Sequence, residues 1–257
     1  MLRNRIKKII SISINTFREA IRDKILYTLF GFGFFLILAD LFLAKVSLGD
    51  MAMIKSFGLA GLYFFGLVIS VFLGASIIYK EIEKRTLYFV LSKPVSRFDV
   101  VIGKFLGLFS AIFLTTSLMA IVYLLVIFYE SKAFDYLGSL AIILQFAEQA
   151  LLVSLLIFFS SFMSPLTATL SAIIVIFTGH LLEAVLASAE MIGGSIYIMA
   201  KSFYYFMPNL AKFDIRNLVV HNITIAQSEF WTAIGYSATY SALLIIVASL
   251  IFRKREL

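Results

Sequence analysis

Long apolar runs, parted by a few short charged clusters, make up most of this chain. A helix crossing a membrane needs about 20 apolar residues, because the hydrocarbon core is ~30 Å thick and a helix rises ~1.5 Å per residue. Six stretches meet that requirement: residues 25–44, 57–79, 104–128, 137–163, 166–187 and 232–252. Only Ser164 and Pro165 part the fourth from the fifth. The combined run is too long for one crossing, so this pair predicts a tight turn between antiparallel helices. The pattern predicts an all-α polytopic membrane protein, one transmembrane domain over residues 1–257 with six transmembrane helices.

Three further segments have patterns of their own. In residues 1–24, Ile6, Ile9, Ile10, Ile14, Phe17, Ala20 and Ile21 recur at helical spacing, and Lys7, Lys8, Arg18 and Arg22 fall elsewhere on the wheel. That predicts an amphipathic helix lying in the membrane interface. A cleavable signal peptide is disfavoured, because the first span is a full crossing with no small-residue cleavage site after it. Residues 188–230 are apolar and aromatic but are broken at Gly193-Gly194 and at Pro208-Asn209. This predicts short helices lying in, or dipping into, the interface opposite the termini, with His221 in a loop that no neighbour promotes to a site.

The third segment is the charged insert at 80–103. Ile82, Leu87, Val90 and Leu91 give a short helix a partly apolar side, with Glu81, Glu83, Lys84 and Arg85 at its start. Pro94 stops that helix. Ser96 can then cap the third span, with Asp99 three residues on. A solvated loop is the plain reading of such an insert. The mixture of acids and bases and the apolar Leu87-Tyr88-Phe89-Val90 favour a docking handle between the second and third spans instead.

Composition supports the membrane assignment. The chain is 61% hydrophobic and 14% charged, with a mean hydropathy of +1.00; a soluble domain is roughly half apolar and a quarter charged. The net charge of +7 needs no nucleic acid to explain it. Residues 1–24, the insert with Lys104, and the C-terminal tail hold sixteen Lys and Arg, against six elsewhere. The positive-inside rule then puts both termini and the insert in the cytoplasm. There are no cysteines and only two histidines, which removes thiolate chemistry and argues against a metal site.

A few polar residues fall inside the spans. Glu148 sits mid-span between Gln145 and Gln149. It either lines a substrate path or carries a proton, or it is a hydrogen-bonded acid holding helices together. His180 and Glu183 share a helix face at i, i+3; a polar pair closing a helix contact is preferred over metal ligation. Asp40 is expected to reach water at the end of the first span. Gly66, Ser70 and Gly74, and Gly103, Gly107, Ala111 and Thr115, form small-residue stripes suited to close helix packing.

The run E-x-E-x-R-T-L-x-x-V-L-S-K-P-V-S-R at Glu81–Arg97, followed by Gly103-Lys104, resembles the cytoplasmic coupling segment of ATP-binding-cassette (ABC) transporter permeases of the type 2 exporter family; the commonest form of the motif has Gly where this chain has Arg85. Residues 15–27, NTFREAIRDKILY, resemble that family's interfacial elbow helix. Gly179-His180 and MPNLAKFDIRN at 207–217 are similar to one branch, the permeases beside the copper-delivery factor of nitrous-oxide reductase systems. The resemblance implies two permease chains, as a homo- or heterodimer, above two ATPase subunits that close on ATP and magnesium. Glu81, Glu83, Arg85, Lys93 and Arg97 would then contact the ATPase by charge complementarity. The chain itself would bind no cofactor and catalyse nothing: there is no GxxxxGK[ST] loop, since Gly103-Lys104 lacks both the earlier glycine and the following Ser or Thr.

Three other functions compete with this one. A secondary transporter or channel independent of an ATPase predicts inverted repeats or broken core helices, and neither is visible. An intramembrane enzyme needs a nucleophile with a base, or paired metal ligands. A regulatory membrane subunit that moves no substrate would share the coupling segment.

Overall fold

The computed structural model describes residues 2–46, 50–83 and 96–254. Among them are nine α-helices and no strand: α1 Leu2–Ile21, α2 Lys24–Val46, α3 Met51–Glu83, α4 Arg97–Ser131, α5 Tyr136–Ser160, α6 Pro165–Ile192, α7 Gly194–Phe206, α8 Arg216–Val220 and α9 Gln227–Lys254, with a 3-10 turn at Ala211–Phe213. Six of them, α2 to α6 and α9, are long and apolar enough to cross a membrane. Two outreach the bilayer. Helix α3 has 33 residues and α4 has 35, roughly 50 Å each at ~1.5 Å per residue, so both project beyond a ~30 Å hydrocarbon core.

The helix ends follow local chemistry. Ser96 caps α4: its Oγ accepts from the backbone N–H of Asp99 at 3.2 Å. Lys132, in the left-handed region, closes α4 with its N–H on the Phe128 carbonyl. Ser164 caps α6 and Pro165 takes the first helical position, where the missing N–H costs nothing. The Ser164-Pro165 turn therefore separates two antiparallel helices.

Helix α5 is the hub, in contact with α3, α4, α6 and α9, while α2 packs on α3 and α4. Buried Ile69, Leu108, Ile112, Met119, Leu144, Leu151 and Val153 lie in one continuous core. The outer faces stay apolar, with Phe35 and Phe42 on α2, Leu125 on α4, Phe177 on α6 and Leu250 on α9 all exposed. In water such a surface would aggregate; in lipid it is the solvated face.

Helix α1 lies against α4. Gly103 and Gly107 make that approach possible. A Cβ on Gly107 would sit 2.6 Å from both the Ser13 carbonyl and Thr16 Cβ, and one on Gly103 2.7 Å from Ile12 Cγ2. This glycine stripe therefore receives the N-terminal helix, whereas the stripe on α3 faces α5, where Gly66 lies under Gln145 and Gln149 and Gly74 under Leu156. Ile6, Ile10 and Ile14 form the opposite, exposed edge of α1.

Residues 192–227 divide into two unlike parts. No residue of α7 is buried. From Pro208 to Val219 the chain folds inward, and Leu210, Phe213, Ile215 and Val219 join the core of the bundle. Leu210 N–H donates to the Gly179 carbonyl at 3.1 Å. That inserted segment covers the site described next.

Candidate functional site

Tyr63 and Glu148 stand at the midpoints of their spans, Met51–Ala75 and Tyr136–Ser160. Tyr63 Oη donates to Glu148 Oε1 at 2.9 Å. His180 Nε2 completes a triangle, 2.7 Å from Tyr63 Oη and 3.0 Å from Glu148 Oε1. With the Tyr63 hydroxyl donating to the carboxylate, the tautomer that fits is the one protonated at Nε2, whose N–H is shared between the two oxygens. Helices α3, α5 and α6 thus meet at one polar point in an apolar bundle. Glu148 and Gln149 are fully buried. Gln149 donates to Thr116 Oγ1 on α4 at 3.1 Å and Gln145 to the Leu62 carbonyl on α3 at 3.0 Å. Glu148 Oε2 is without a partner, an expensive state for a buried carboxyl oxygen.

The inserted segment closes over this triangle. Arg216 Cζ lies 3.9 Å from the centroid of the Tyr63 ring, a close cation–aromatic contact. The same guanidinium grips Asp214 with two bonds, Nε–Oδ1 at 2.7 Å and Nη2–Oδ2 at 2.6 Å. Burial alone would raise the Asp214 carboxyl; the Arg216 fork outweighs it and holds Asp214 below the ordinary carboxylate range.

One turn beyond His180, Glu183 takes a different partner. Asn209 Nδ2 donates to Glu183 Oε1 at 3.0 Å and to Tyr204 Oη at 3.0 Å, and Asn209 N–H donates to Tyr236 Oη at 2.9 Å. Asn209 therefore pins the start of the inserted segment to α6, α7 and α9. His180 and Glu183 share a face but serve separate contacts. Among the described residues no group of three His, Asp or Glu is placed to hold a metal ion.

Nearer the end of the bundle away from the termini lies a second buried polar group. Asp135, at the start of α5, accepts from Tyr123 Oη at 2.8 Å and from Lys55 Nζ at 3.0 Å. Lys55 also reaches Asn222 Oδ1 at 3.1 Å. Asp40, expected at the water surface, is instead wholly buried, because it faces into the bundle against Gly58. Both its carboxyl oxygens are without a partner.

Five residues are expected to contact an ATPase. Glu81 and Glu83 are in the last turn of α3. Arg85 and Lys93 lie outside the described residues. Arg97 opens α4, where its guanidinium donates to the Phe252 carbonyl and stacks over the Phe252 ring, Cζ 5.4 Å from the centroid. It thereby ties the start of α4 to the end of α9.

Six candidate crossings around an α5 hub, with two long helices flanking a charged insert, describe an all-α polytopic membrane protein. Residues 12–257 match the ABC-2 family transporter proteins. The chain belongs to that family and is the permease component of an ABC transporter, the part that sits in the membrane. No curated protein matches it.

Sequence reasoning found Glu148, His180 and the inserted motif but not their assembly. Tyr63 had one signal, a polar tip inside an apolar run. Arg216 and Asp214 had none, because a pair two residues apart in a broken segment gives no hint of what it covers.

Proposed function

We propose that this chain is one of two permease subunits of an ATP-driven exporter. A separate cytoplasmic ATPase binds ATP and magnesium and grips residues 80–103, and the termini lie on its side of a prokaryotic inner membrane. One observation carries the reading: α3 runs unbroken from Tyr63, at mid-membrane, to Glu81 and Glu83, at the edge of the insert. A helix is stiff along its axis, so displacement of the insert is delivered to the Tyr63–Glu148 contact without an intervening hinge. Arg97, clamped on α9, carries the same displacement to a third helix. The sixteen-to-six charge bias supports the orientation.

The test is to express the gene together with its neighbouring genes and to ask whether an ATPase subunit co-purifies with this chain. Charge reversal at Glu81 and Glu83 is expected to weaken the association and leave membrane insertion intact. Full association with undiminished ATP hydrolysis in that double variant would refute the coupling role.

A further inference from the structure

We infer that Tyr63, Glu148 and His180 form a binding site for an organic cation, a guanidinium or a substituted ammonium, and that Arg216 of the inserted segment occupies it as a tethered stand-in. This deepens the transporter reading above, and rests on it, by naming a substrate class.

Three observations lead there. First, the bundle side is built for a cation. It offers the face of Tyr63, which Arg216 covers at 3.9 Å, and a fully buried carboxyl whose Oε2 is without a partner. Intramembrane acids of this kind are stabilised by a cation or by water along a path. Tyr63 and His180 fix Oε1 and leave Oε2 for a ligand.

Second, the occupant carries its own counter-ion. Arg216 is bridged to Asp214, so the segment withdraws as a neutral pair rather than as a bare charge. An arginine that had to break its only ion pair would be a lock; this one is a removable cover.

Third, the cover is fastened at its two edges and not at the site. The bonds of Asn209 to Glu183, Tyr204 and Tyr236 hold its start and Lys55 holds its end at Asn222, whereas Arg216 has its charged partner within the cover itself. The stretch between those edges is thus arranged to lift with Arg216 and to uncover the aromatic–carboxyl pocket towards the side opposite the ATPase.

The experiment uses the full chain with its ATPase in detergent. A fluorophore bearing a trimethylammonium group is titrated by anisotropy, with its neutral tert-butyl analogue as control. Arg216→Gln is expected to bind the cation about tenfold more tightly than wild type, the value of one desolvated cation–aromatic contact. Adding Glu148→Gln or Tyr63→Leu is expected to abolish the gain. Equal affinity of Arg216→Gln and wild type, or equal gains for the neutral analogue, overturns the proposal. Should Arg216→Gln not fold, Val219→Cys in the cysteine-free chain replaces it. Val219 is buried in the cover, so maleimide labelling is expected to quicken as the cation is added, and an unchanged rate overturns the proposal. Retained co-purification with the ATPase separates failure of this inference from failure of the transporter assignment.

Discussion

Arg5 Nη2 donates to Asp99 Oδ1 at 2.9 Å, joining the first turns of α1 to the first turn of α4 across 94 residues of sequence. Asp99 is buried while Arg5 is half exposed, so α4 supplies a fixed acid and α1 comes to it. The same carboxylate opens the helix that follows the coupling insert. The N-terminal helix is therefore fastened to the element that receives force from below.

Removing that fastening has a localised outcome. Asp99→Asn is expected to raise amide hydrogen exchange across residues 2–21 and to leave α5 unchanged. With Arg5 half exposed, solvent screens the pair and it is worth about 1 kcal/mol or less. Arg5→Gln is expected to act in the same direction but more weakly, since the Asp99 carboxylate keeps its hydrogen bonds with Ser96.

Gly107 and Gly31 offer a contrast on two spans. A Cβ on Gly107 meets backbone atoms of α1, whereas one on Gly31 meets nothing within 4 Å. Gly107→Ala is expected to cost about 1–3 kcal/mol by overpacking. Gly31→Ala is expected to gain up to about 1 kcal/mol from helix propensity. Thermal melting in detergent ranks the two.

Asp40 is fully buried with neither oxygen satisfied. Replacing it with Ala is expected to raise the melting temperature, because the cost of an unsatisfied buried carboxyl, about 1–3 kcal/mol, exceeds that of the small void left. A lower melting temperature would mean that a partner for Asp40 exists in the assembled complex.

The Asp214–Arg216 pair sets a pH dependence for the inserted segment. The folded carboxyl titrates below its unfolded value, so its contribution is complete above about pH 4 and fades as the pH falls through the lowered value. The melting temperature in detergent is expected to fall as the pH drops below about 4. Asp214→Asn is expected to melt lower than wild type at neutral pH and to lack that part of the acid dependence.

Much of the architecture was legible in advance. The runs of about 20 apolar residues located all six candidate crossings, and Ser164-Pro165 marked the turn between α5 and α6. Ser96 marked the start of α4, but the run of α3 through to Glu83 was not legible, because there helix continues into sequence too polar to count as membrane. Among site residues, Glu148 and His180 stood out because charge is rare inside an apolar run. Their meeting point was hidden, since it needs three helices to place three atoms within 3.0 Å of one another.

The sequence by itself determined that this chain lives in lipid and crosses it six times, because apolar length and period are local properties that no neighbour can reverse. The tertiary structure decided which faces those helices turn to each other. It put the glycines of α4 under α1, buried Asp40, and folded residues 208–219 back over Tyr63 and Glu148. Those outcomes depend on contacts between residues far apart in the chain, and helix rotation is set by the sum of such contacts rather than by any one segment.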